Sequence, residues 1–139
     1  VFFANGGLNV KIKYSRPSMN GRKIFGYEVP YYKVWVTGAD SATEFSINQP
    51  VYFYGQQLEK GKYSIFTIPR PDLWMLIINK QTGFRGNDYN PVNDIIHIPM
   101  KVDSLSDPVE KLTSSITAID AGGLMTIERE NTNATVIFK

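Results

Sequence analysis

The chain has no cysteine, and that absence removes thiolate nucleophiles, cysteine-ligated zinc and disulfides together. It has a single histidine, His97, so a multi-histidine metal site such as HExxH is impossible. No GxSxG, SxxK, P-loop or GxGxxG motif occurs. The longest apolar run, LWMLII (73–78), is the length of a strand and far short of a membrane span. No segment has the charged start and apolar core of a secretion signal, and the abrupt opening at Val1 reads as a mature or trimmed chain. A convincing helical period is missing as well. We expect no metal and no cofactor.

What is present is hydrophobic and aromatic. Of 139 residues, 42% are hydrophobic and 13% aromatic, enough for one domain (1–139) with a real core and a composition that suits strands. The net charge of +2 is uneven. Residues 1–70 carry nine Lys/Arg against four Asp/Glu, and residues 71–139 six against nine. The basic excess is spread along strands and matches no RNA- or DNA-binding signature, so it reads as a solvated face and nucleic acid is not expected as a partner.

Strand patterns follow one another along the whole chain. In LNVKIKY (8–14), Leu8, Val10, Ile12 and Tyr14 share one face and Asn9, Lys11 and Lys13 the other, the period of a half-buried strand. Similar runs lie at 33–37, 43–47, 51–54, 62–68, 74–79, 94–102, 112–119, 124–129 and 134–138. Asp107-Pro108, within SLSDPVEKL (104–112), suits the cap and first position of a single helical turn. These patterns predict an all-β fold: an antiparallel β-sandwich of about ten short strands, with Greek-key or jelly-roll-like connections and at most one short helix. Leu58, Gly61 and Tyr63 have the spacing of a tyrosine corner, in which the phenol bonds upstream backbone. Trp35 and Trp74, each flanked by aliphatic residues, are expected to be buried.

Candidate chemistry is sparse. His97 sits in an apolar strand pattern, where a satisfied imidazole is the ordinary state, although a Ser and an Asp brought near it would make a triad. NDYNPVND (87–94) is rich in oxygen ligands but lacks the spacing and the Gly–Glu ending of an EF-hand, and reads as Asx-turns. In VYFY (51–54), Val51 and Phe53 face the core while Tyr52 and Tyr54 share the outer face, where they could stack on a sugar or a protein partner.

The run YSRPSMNGRKIFGYEVPYYKVWVTGADSAT (14–43) is the most distinctive. Pro17 ends a strand, Asn20-Gly21 makes a turn, and Ile24-Phe25 returns to the core. This run resembles the YSRP…GR.IFG..VPYG.VWRTGAN.AT pattern of a bacterial family, domain of unknown function 2911. LEKGKYSIFTIPRPDLWMLIINK (58–80) continues the resemblance, with looser agreement at DIIHI (94–98) and ERENT (128–132). The resemblance implies a small β domain that is periplasmic, secreted or otherwise envelope-associated, and it supplies no activity. Four positions depart from the pattern: Val36, Asp40, His97 and Arg129, the last standing where the family has tryptophan. Together they imply either a family ligand site lost or retuned, or a buried charge network rearranged as a unit.

Arg16 and Arg22 keep the family residues. If strand 33–37 lies antiparallel to strand 8–14, Arg16 should pair with Asp40 and leave Arg22 nearer solvent. The other reading makes the two arginines a bidentate trap for a carboxylate or phosphate. We therefore expect a non-catalytic binding module, its ligand a glycan or a protein, drawing on Arg16, Arg22, Asp40, Tyr52, Tyr54, His97 and Arg129. The alternative is a small hydrolase or isomerase using carboxylates near Asp40, Asp94 and Glu128.

Overall fold

A computed structural model describes residues 1–83, 85 and 88–139. Among the described residues the alternating segments form nine strands: β1 (Phe2–Asn5), β2 (Leu8–Lys13), β3 (Thr43–Ile47), β4 (Val51–Phe53), β5 (Gln56–Leu58), β6 (Gly61–Ile68), β7 (Leu73–Asn79), β8 (Asp94–Ile119) and β9 (Gly122–Phe138). The all-β, antiparallel expectation holds. Seven strands make one antiparallel sheet in the order β1-β2-β3-β6-β7-β8-β9, and β4 and β5 form a separate hairpin. Within the main sheet the connections are meander steps, with the β4–β5 hairpin as the excursion between β3 and β6, where Greek-key or jelly-roll-like crossings had been anticipated.

The sheet curls towards closure. Asn5 Nδ2, at the end of β1, donates to the carbonyls of Ile119 and Gly122 at the β8–β9 turn. Tyr52 of β4 exchanges backbone hydrogen bonds with Lys139, just past β9, at 2.8 and 3.1 Å. Phe45, Phe53 and Phe138 meet edge-on or tilted, with centroids 5.7–6.2 Å apart, and seal the interior between sheet and hairpin.

Two predicted pairs of strands turn out to be single, long, bent ones. The patterns at 94–102 and 112–119 both belong to β8, and those at 124–129 and 134–138 to β9. Register shifts fall between Ser104 and Val109 and between Val109 and Thr113. The stretch read as a helical turn is therefore a bulged strand, and the 3-10 turn observed instead is Pro91–Asn93. Pro108 lacks an N–H for the ladder, so bulging is the natural outcome there. Glu130, opposite the bulge, has a positive φ of 56°. The long hairpin creases at this point and folds back, bringing Gly122 at the start of β9 against Phe138 at its end.

The expected strand 33–37 is absent. Trp35 makes only an isolated bridge to Thr67, and residues 14–42 form one long connection between β2 and β3. Thr37 and Asp40 take positive φ values of 59° and 61°, incompatible with a continuing strand. This connection is nonetheless firmly docked. Met19 N–H donates to the Glu110 carbonyl, Leu112 N–H to the Pro17 carbonyl, and Tyr32 N–H to the Pro69 carbonyl. Ile24, Phe25 and Val29 are buried in the main core. A connection this long that carries its own core residues is typical of functional loops.

Tyr63 is a tyrosine corner, its hydroxyl donating to the Glu59 carbonyl at 2.8 Å beside buried Leu58. Tyr63→Phe is expected to lower stability by about 1 kcal/mol. An unchanged urea midpoint would show that this bond is idle.

Candidate functional site

The docked connection and the crease of β8–β9 enclose a cleft of about 270 Å³. Every residue lining it except one comes from the 14–43 run; the exception is Arg129 of β9. On β9, Met125, Ile127 and Arg129 alternate inwards, so Arg129 is the last inward position before the irregular Glu130. Strand geometry alone thus drives a guanidinium into the interior, where it is only 4% exposed.

Its partners are few. Arg129 Nη2 donates to the Ser18 carbonyl at 3.3 Å, while the buried Nε–H has no hydrogen-bond partner. Among the described residues no carboxylate forms an ion pair with it. Three lie within electrostatic reach, and each is engaged elsewhere. Glu130 accepts from Ile24 N–H at 2.7 Å and Phe25 N–H at 3.4 Å, Glu110 from Asn20 N–H at 3.0 Å, and Glu28 from Arg22 Nη1 at 3.3 Å. Burial first, and then the neighbouring Arg22 charge, lower the Arg129 pKa from its usual value, while the three glutamates oppose that shift. Arg70 also has a buried Nε without a partner, but it is half-buried and lies over the Tyr32 ring.

Arg22 is more exposed and better satisfied, donating to the Met19 and Ser18 carbonyls at 2.9 Å each and to Glu28. Trp35 is a correction: it is only half-buried and lines the cleft, whereas Trp74 is buried as expected. The Trp35 ring packs edge-to-face on Phe25 and Trp74, both at 5.8 Å, and its backbone exchanges hydrogen bonds with Thr67.

The remaining candidates lie elsewhere. Arg16 does not meet Asp40; without strand 33–37 nothing brings them into register. Arg16 donates instead to the Leu112 carbonyl at 3.0 Å and Thr113 Oγ1 at 3.1 Å, bracing the loop on β8. Asp40 is exposed in its turn, and the nearby contact to the 15–16 segment is Ser15 Oγ to the Ala39 carbonyl. Val36 packs in a small second cluster with Ala42, Phe66 and Ile77. No hydrogen bond or ion pair joins any two of Val36, Asp40, His97 and Arg129, so these departures do not form one rearranged network.

His97 points outward, since Ile96 and Ile98 take the core. Its Nε2 lies 2.9 Å from Asp94 Oδ2, while Asn79 Nδ2 donates to Asp94 Oδ1 at 3.0 Å. Tyr89 donates a short hydrogen bond to the same Asp94 carboxylate. Burial and then that bond push the Tyr89 phenol well above its usual pKa, so it remains a donor. Asn90 caps the Pro91–Asn93 turn through Val92 N–H, as an Asx-turn should; Asn87 lies outside the described residues. No group of three or more metal-ligating side chains occurs among the described residues. Tyr52 and Tyr54 share an exposed face, with Val51 and Phe53 fully buried behind them, and border a second groove of about 370 Å³ with Ile137 and Lys139. Of Asp40, Asp94 and Glu128, none lines either cleft.

The fold and this cleft define a class: a small antiparallel β domain, its sheet nearly closed, that holds a buried arginine beneath a long docked loop. Over residues 1–138 the chain matches the family described as protein of unknown function (DUF2911), and it belongs to that family. No curated protein and no solved structure gives a match.

Proposed function

We propose that this protein is a non-catalytic binding module that captures a small acidic ligand in the crease cleft, with Arg129 as the anchoring cation. The supporting observation is Arg129 itself, 4% exposed, with an unpartnered Nε–H and no ion pair among the described residues. An unpaired buried charge costs several kcal/mol, and an acidic ligand offsets that cost. Arg22 adds a second guanidinium at the rim. Among the described residues the lining holds one carboxylate, Glu28, and no serine, threonine or histidine. That inventory has no hydroxyl nucleophile, and Glu28 has no second carboxylate or histidine beside it to complete an acid–base pair, which favours binding over hydrolysis or isomerisation.

Melting temperatures at constant ionic strength in chloride, acetate, sulfate and benzoate test this reading. At least one anion is expected to raise the wild-type midpoint above chloride and leave Arg129→Met unmoved. Identical responses of the two proteins would refute it. A glycan or protein ligand on the Tyr52–Tyr54 groove is a second reading, supported by the exposure of both rings. Unchanged mobility of Tyr52→Ala/Tyr54→Ala relative to wild type in gels cast with soluble polysaccharide would count against the glycan form. An envelope or exported setting belongs to the same proposal, and cell fractionation that finds the chain in the cytosol would contradict it.

A further inference from the structure

Resting on the anion-binding reading, the lining of the crease cleft also bears on what kind of anion fits. We infer that the cleft takes a monovalent carboxylate carrying a compact apolar or aromatic body, in preference to a phosphate, a sulfate or a bare inorganic anion. Three observations converge on this class.

The first is charge. Arg22 is already paired with Glu28 at 3.3 Å, so among the described residues Arg129 supplies the cleft's one unpaired positive charge. A monoanion neutralises it. A dianion would bring a surplus negative charge into a cleft that Glu28 also lines, and like charges repel. The second is the donor set. A guanidinium fork suits carboxylate and phosphate alike, but a phosphate site usually adds lysines, hydroxyls or a nest of backbone N–H groups around the remaining oxygens. Among the described residues the lining's polar side chains, the Trp35 indole apart, are two arginines and one glutamate, a set that suits the two oxygens of a carboxylate and offers no lysine or hydroxyl to a third phosphate oxygen.

The third is the wall. Val29, Pro30, Val34 and Trp35 present an apolar surface next to the guanidinium. Trp35 is held by its contacts with Phe25 and Trp74 and by its backbone bridge to Thr67, so this surface exists before any ligand arrives. A bare anion leaves that surface unused, whereas a ring or short branched chain covers it. The cleft's volume of about 270 Å³ confines the body to about one ring, since drug-sized ligands usually need about 300–1,000 Å³.

The test is a titration series at constant ionic strength with acetate, benzoate, inorganic phosphate and phenyl phosphate. Affinities are read by calorimetry and by tryptophan emission, to which Trp35 at the cleft contributes. Benzoate is expected to bind at least about tenfold tighter than acetate, as burial of one ring face should give, and tighter than either phosphate. In Trp35→Leu the benzoate advantage should shrink while acetate affinity stays put, which also reports that the variant is folded. If Trp35→Leu does not fold, the wild-type ranking decides alone. Benzoate no tighter than acetate, or either phosphate tighter than benzoate, would overturn the inference and leave anion binding standing. Equal binding of all anions to wild type and Arg129→Met would remove the anion reading itself.

Discussion

Gly122→Ala is expected to lose at least about 3 kcal/mol of stability, enough to unfold a marginal domain. A Cβ at this position would sit 1.9 Å from the Phe138 carbonyl oxygen and 2.6 Å from Lys139 Cα. Both obstacles are backbone, so no rotamer change relieves the clash. The contact exists because the β8–β9 hairpin folds back at its crease and brings the two ends of β9 together. Phe138 is fully buried against Phe45 and Phe53, so moving it opens the core. Urea denaturation measures the loss, and a wild-type midpoint would mean that the hairpin does not fold back as described.

Glu130→Ala should be nearly as costly, at about 2–4 kcal/mol, because hydrogen bonds to charged acceptors are strong and stranded buried donors are expensive. The carboxylate accepts from Ile24 and Phe25 N–H, and both of those residues are buried. Its removal frees the loop that roofs the cleft at the point where the loop enters the core. Ligand binding should weaken along with stability, since the cleft wall and the core anchor share this segment. Hydrogen exchange at Ile24 and Phe25 provides a local readout, and full protection in the variant would show that the carboxylate is dispensable.

Much of the fold was legible in the alternating patterns. The 8–13 pattern gave the correct inward set of Leu8, Val10 and Ile12, and the VYFY pattern separated core from surface correctly. The tyrosine-corner spacing identified a real backbone tether. What failed were the joins between elements. KVWVT has the composition of a strand, yet the positive φ at Thr37 and Asp40 and the docking of the loop overrode local preference. SLSDPVEKL carries a helix-start signal, but its neighbours on both sides were already committed to one hairpin.

The site was legible only in pieces. Arg22 and Arg129 were both candidates, but nothing in the sequence joined position 22 to position 129 across the crease. The usable signal was the alternation in LMTIER, which puts Arg129 on the same face as Met125 and Ile127. A charge on the apolar face of a strand is the kind of local contradiction that accompanies function. Arg16 was misassigned because its pairing with Asp40 depended on a strand that does not form.

The central claim is that Arg129 is a buried charge held for a ligand and not a member of a satisfied internal ion pair. Chemical denaturation of Arg129→Met in ligand-free buffer tests this most directly. Methionine keeps much of the aliphatic stem but removes the guanidinium, with its unpaired charge and its bond to the Ser18 carbonyl, so the account predicts a variant at least as stable as wild type, by up to about 4 kcal/mol more. Breaking a satisfied buried ion pair costs about 3–5 kcal/mol instead, and a loss of that size would contradict the account.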